Sequence, residues 1–208
     1  MVIRSSDARR ERAREHTRRD ILLAAAEVFA ARGYAAATLA ELAEASGFAA
    51  PSLYRYFASK EEIFRSLVEL LVEEMQATFD EPIDRSLPLS VRIETLLRVQ
   101  ARLAESRRAA FRLVHDAGTD APLPPVLKPG PRAGLAFFES RLLEWLRRNT
   151  APSELRVPVE LAARTLAGVA YAFHSCDDSD LSPVDSARTV VDLALNGIAA
   201  PNDGRRGA

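Results

Sequence analysis

Side chains able to do covalent or proton-transfer chemistry are scattered along this sequence. Its three histidines, His16, His115 and His174, lie in separate segments, none at the spacing that turns two imidazoles toward one metal. His115-Asp116 and His174-x-Cys176 are two-ligand fragments, too few for a metal site. The single cysteine excludes an intrachain disulfide and a cysteine zinc cluster, and it suits a reducing compartment. No glycine-rich phosphate loop, G-x-G-x-x-G or nucleophile elbow is present, and the carboxylates fall at helical spacing on polar faces. The sequence therefore predicts no enzyme, no metal and no cofactor. What it does concentrate is non-covalent chemistry. Ser52, Tyr54, Arg55, Tyr56 and Lys60 put five hydrogen-bonding side chains into nine residues, just after Ala50 and Pro51. Arg55 alone carries a fork of donors, the group that pairs bidentately with guanine O6 and N7 or with a phosphate.

The elements that hold these residues are legible. Thr38 and Glu41 form a capping box that starts a helix at Leu39. Leu42 and Ala43 face inward from it, and Gly47 stops it with the positive φ a tight turn needs. A second helix is expected from Ala50 to Phe57, with Pro51 in its first turn, where a missing N–H costs nothing. Leu53 and Phe57 point inward at i, i+4, which leaves Ser52, Tyr54, Arg55 and Tyr56 on other faces. Ala43-x3-Gly47-x5-Leu53 is helix-turn-helix spacing, which carries the second helix to a DNA major groove.

The stretch RDILLAAAEVFAARGYAAATLAELAEASGFAAPSLYRYFASKEEIF resembles the N-terminal domain of the tetracycline-repressor-like (TetR) family. The resemblance rests on Ala25, Phe29, Gly33-Tyr34, Thr38, Leu42-Ala43, Gly47, Leu53-Tyr54, Tyr56-Phe57 and Ser59-Lys60-Glu61. It covers Arg18 to Phe64, about a quarter of the chain; beyond that only the layout is family-like. It implies DNA contacts from Thr38, Ala50, Pro51, Ser52, Tyr54, Arg55, Tyr56 and Lys60. Ala49 stands where the family usually places a capping Ser or Thr, and Ala50 where it often has a longer polar side chain.

The rest of the chain agrees with a DNA-reading head on a separate body. Residues 1–60 carry a net charge of +3 and residues 61–208 a net of −4. Residues 1–16, with five arginines, read as a flexible basic extension: either a frayed start of the first helix or an arm that reaches the duplex. Residues 17–58 are the expected DNA-binding domain, 59–200 a helical domain for ligand sensing and dimerisation, and 201–208 a tail. The class predicted is all-α, with about nine helices: a three-helix head and a helical bundle. Five prolines between Pro122 and Pro131 predict a loop. No run approaches the ~18 apolar residues of a membrane span, and no signal-peptide pattern appears, so a cytoplasmic protein is expected.

Two roles are expected of the body. A bundle can leave an apolar cavity, for which Met75, Phe111, His115, Phe138, Trp145 and Tyr171 are candidate lining residues, unless these aromatics are ordinary core. The last two helices carry Ala163, Ala167 and Ala170, then Val184, Ala187, Val191, Ala194 and Ile198 at a strict 3, 4 spacing. That seam packs either on its own body or on a second copy. By resemblance it forms a four-helix homodimer interface, as palindromic half-sites require. The function expected is a transcriptional regulator, a repressor released from its operator by an unknown small molecule. The alternative is a ligand-independent or architectural DNA-binding protein.

Overall fold

A computed structural model of the chain describes residues 3–116, 133–175 and 182–198. Every regular element among them is helical: α1 (Ile3–Arg32), α2 (Leu39–Ala45), α3 (Ala50–Leu53), α4 (Lys60–Asp80), α5 (Leu89–Ser106), α6 (Arg108–Asp116), α7 (Ala133–Asn149), α8 (Val159–Ser175) and α9 (Pro183–Ile198), with a 3-10 turn at Pro152–Glu154. None is long and apolar enough to cross a membrane. The proline-rich loop lies outside the described residues.

Two compact units divide these elements. The first holds α1 to α3, α4 as far as Val72, and α6; the second holds the rest of α4 with α5 and α7 to α9. α6 was expected in the body, yet it packs on α1. The basic extension continues α1, which is one helix from Ile3 to Arg32.

In the first unit the stripe of α1 (Ile21, Ala25, Phe29) is fully buried, as are Leu42, Ala43, Leu53, Phe57, Ile63, Phe64 and Leu67. Phe64 meets the rings of Phe29 and Tyr34 edge-on at 5.5 and 4.9 Å between centroids, and Phe29 and Tyr34 lie tilted at 5.8 Å. In the second unit one core joins Phe79 to the inner faces of α5, α7, α8 and α9 around Trp145. Two polar side chains sit on the apolar stripe of α5. Arg92, 2% exposed, donates to the Asn149 carbonyl and pairs with Glu154, which closes the C-terminus of α7. Gln100 donates to Thr78 Oγ1 at 3.3 Å.

The small residues of the last two helices belong to this core. Ala163, Ala167, Ala170, Ala187, Val191 and Ala194 are each at most 4% exposed within the single chain. Of the two placements the sequence allows for the seam, these six occupy the intramolecular one, because a side chain already covered by its own chain has no area left for a partner. The side chains of Val184 and Ile198 lie outside the described residues.

Candidate nucleic-acid interface

The turn between α2 and α3 is built as its sequence requires. Thr38 Oγ1 accepts from the Glu41 N–H at 3.3 Å, and the Glu41 carboxylate accepts from the Thr38 N–H at 2.9 Å, closing the capping box. Glu41 is held below the ordinary carboxyl value, first by the Thr38 N–H, then by its hydroxyl, with a smaller part from Arg32. Gly47 takes φ +74°, and the Phe48 N–H returns to the Ala43 carbonyl at 2.8 Å. That bond turns the chain sharply enough for α3 to cross α2 beside the small Ala43.

α3 is shorter than expected. Its helical bonds run from the Ala49 carbonyl to the Leu53 N–H and from Ala50 to Tyr54, after which the chain tightens to i, i+3 bonds at Arg55 and Tyr56. Ala49 sits at the N-cap with extended φ −72°, ψ 145° and no side-chain bond, consistent with its missing hydroxyl. Leu53 and Phe57, each 1% exposed, fasten the inner side. The outer side presents Pro51, Tyr54 (56% exposed) and Arg55, with Ala50, Ser52 and Tyr56 half-buried. Tyr56 leans on Phe48 with centroids 5.7 Å apart. Arg55 makes no hydrogen bond or ion pair among the described residues. Its fork is available to a nucleobase edge or a phosphate.

Two cations brace the segments on either side of α2, Arg18 at the end of α3 and Lys60 at the connection between α1 and α2. Arg18 of α1 lies 4.1 Å over the Phe57 ring, donates to the Tyr56 carbonyl and sits 3.8 Å from Glu62. Sequence reasoning passed over Arg18. The signal available was its place one turn before Ile21 on the buried stripe. Lys60, a DNA contact by resemblance, directs its ammonium to the carbonyls of Tyr34, Ala35 and Ala37 at 2.9, 3.1 and 2.9 Å, and lies 4.8 Å from the Tyr34 ring centre. An ammonium has three N–H donors, and here each has a carbonyl. Thr38 is likewise engaged by its cap, although it stands exposed.

The other expected sites scatter. Met75, Phe138 and Trp145 belong to the second unit; Trp145 is fully buried, and Phe138 packs on Phe79 at 5.8 Å. Tyr171, half-buried, is in the same unit, whereas Phe111 belongs to the first. The His115 side chain is outside the described residues. A polar cleft of about 160 Å³ in the second unit has a different lining: Gln76, Phe79, Asp80, Arg141, Glu144 and Arg148. Among the described residues no three His, Cys, Asp or Glu side chains converge.

A fixed second helix with an exposed outer side, on a helix-turn-helix among described elements that are all helical, is the arrangement of the helix-turn-helix class, whose second helix enters a DNA groove. Residues 21–67 match the family described as bacterial regulatory proteins, tetR family. The match covers less than a quarter of the chain and falls on the helix-turn-helix. It is 27% identical over 103 residues to the transcriptional activator FasR of Mycolicibacterium smegmatis, covering 50% of this chain and 47% of FasR. It is 29% identical over 99 residues to the transcriptional repressor KstR2 of Mycobacterium tuberculosis, covering 48% and 50% of the two chains. The chain thus spans about half the length of these curated relatives. Its fold is similar to that of the TetR-family transcriptional regulator PfmR from Thermus thermophilus, with a TM-score of 0.63 at 25% identity, over 85% of this chain and 97% of that one.

Proposed function

We propose that the protein is a homodimeric transcriptional repressor that reads a palindromic operator with two copies of α3 and leaves it when a small molecule binds the second unit. The observation that carries the reading is the pair Tyr54 and Arg55, solvent-facing on a helix whose inner side is 1% exposed and clamped by Arg18. A side chain fixed in this way loses little freedom on binding, so its contacts are realised as affinity. Two heads covering a site obstruct whatever else must bind there, so repression needs no further contact surface. The relatives include one named an activator and one named a repressor.

Dimerisation belongs to this reading, through a different face from the alanine seam. On α8 the outward stripe is Leu161, Arg164, Gly168 and Ala172, and α9 adds Leu193. Leu161 is 48% and Leu193 63% exposed, large apolar side chains left uncovered by the single chain. Gly168 has open space where a Cβ would stand, which lets a second backbone approach. The effector would lie among Met75, Phe138 and Tyr171 against the wall of Trp145, and would act through α4, which continues from one unit into the other. A working place on DNA puts the protein in the cytoplasm.

Selection of duplexes from a random pool with the full chain tests the proposal. The expected product is an inverted repeat whose half-sites lie about one helical turn, or a multiple of it, apart. Enrichment of no sequence over the starting pool would overturn specific reading. Affinity indifferent to every small molecule that shifts the melting temperature would favour the ligand-independent alternative.

A further inference from the structure

α1 is thirty residues long, and only its C-terminal part enters the core. From Asp7 to His16 every side chain is exposed, so nearly three turns of helix stand uncovered by the described residues. Hydrophobicity cannot account for this segment, which has no apolar stripe. Its arginines are ordered, however. Arg10, Arg14 and Arg18 follow at i, i+4, i+8, one line of guanidinium groups rising about 6 Å per step along the helix. Arg18 anchors the line, since its guanidinium bonds the Tyr56 carbonyl immediately beyond α3. Arg10 and Arg14 continue it away from that point and make no hydrogen bond or ion pair among the described residues. Arg12 lies on another face and folds back onto the Ala8 carbonyl at 3.1 Å, and His16 pairs with Asp20 at 2.9 Å on the far side. Asp7, Glu11 and Glu15 flank the line, so the segment is an oriented basic edge and not a uniformly basic one. Like charges at i, i+4 disfavour a free helix. An anion along the line would remove that cost.

We propose that the projecting half of α1 is a second DNA-contacting element, in which Arg10 and Arg14 grip backbone phosphates of the duplex flanking each half-site. The inference rests on the reading of α3 as the sequence-reading helix. Arg18, through the Tyr56 carbonyl, ties the inner end of the line to the segment that follows α3, and the positive charge of the line fits a polyanion. A helical arm also holds its charges at fixed spacing, without the ordering cost that a flexible tail meets on binding. Contacts of this kind add affinity and footprint but no sequence preference.

The test uses the full chain and the duplex enriched by it, in two lengths: one trimmed at the outer edges of the half-sites, the other carrying about ten further base pairs, roughly one helical turn, of arbitrary sequence on each side. Affinity is measured against salt for the parent, for Arg10→Ala with Arg14→Ala, and for Arg10→Lys with Arg14→Lys. On the long duplex the alanine pair should lower the slope of log affinity against log salt by about 0.9 for each phosphate no longer neutralised, hence by about 3.6 for the four phosphates of a dimer. The lysine pair should keep the parent slope, the trimmed duplex should erase the difference, and the preferred sequence should not change. The melting temperature of the alanine pair should equal or slightly exceed that of the parent, because a like-charge repulsion is gone. Equal slopes for parent and alanine pair on the long duplex, with binding intact, would overturn this inference alone. A lowered melting temperature with an unchanged slope would do the same by assigning the arginines a structural part. A parent that enriches no duplex would remove both this inference and the reading beneath it.

Discussion

At Lys60 one ammonium closes three carbonyls left open by the chain after α1, and the same atom sits over the Tyr34 ring. Each of these is a charge-assisted bond in a half-buried place, so Lys60→Ala should destabilise the DNA-reading unit by about 2 kcal/mol, read as a fall in the denaturation midpoint. The salt slope of DNA binding should be unaltered by the change. A slope lowered by about 0.9 per protomer would instead assign Lys60 to a backbone phosphate. Arg55 has the opposite environment, exposed and with no partner among the described residues, so its substitution should cost little stability. Arg55→Ala should relax base preference at one symmetric pair of operator positions, by about 1–3 kcal/mol each. A uniform loss with the same preferred sequence would assign Arg55 to the backbone.

Among the elements, α3 is the least secured at its start. The Ala49 φ and ψ are already those of an N-cap, and only the hydroxyl is absent. Ala49→Ser should therefore stabilise the unit by about 1 kcal/mol, whereas Thr38→Ala, which opens a formed box on α2, should cost about the same. Chemical denaturation of the two variants checks both signs. The α2 cap also carries an acid limb. With the Glu41 carboxyl lowered from its ordinary 4.5, its contribution is present above that value and is lost as the pH falls through the lower folded one. Glu41→Gln should remove that part of the acid dependence. On α5, Arg92 holds both the end of α7 and Glu154 from a buried position. Arg92→Met should cost about 3 kcal/mol, since it leaves a helix-terminal carbonyl and a partly covered carboxylate without their donor.

For the molecule as a whole, the proposed dimer separates two kinds of apolar residue on neighbouring helices. Leu193→Glu changes a side chain that the single chain leaves 63% exposed, so it should leave the fold intact and yield monomers in sedimentation. Ala194→Glu places a charge in the core of one chain and should lower the melting temperature sharply whatever the oligomeric state. A dimer of Leu193→Glu as tight as the parent would move the interface elsewhere.

The sequence by itself determined the head: Thr38 with Glu41, Gly47, Leu53 and Phe57 each act within a few residues along the chain, and local geometry leaves them little choice. It also set the helical class, since helix periodicity and capping are local too. Contacts between distant residues were another matter. That Arg18 would reach Tyr56, that Lys60 would turn inward to Tyr34, and that α6 would pack on α1 depend on where separate helices come to rest. The alanine seam shows the same division. A 3, 4 spacing states that one face of α9 is buried, but the spacing is identical whether the cover is α5 and α8 or a second copy. Only the tertiary structure decided it, because burial is a property of what arrives opposite a helix and not of the helix itself.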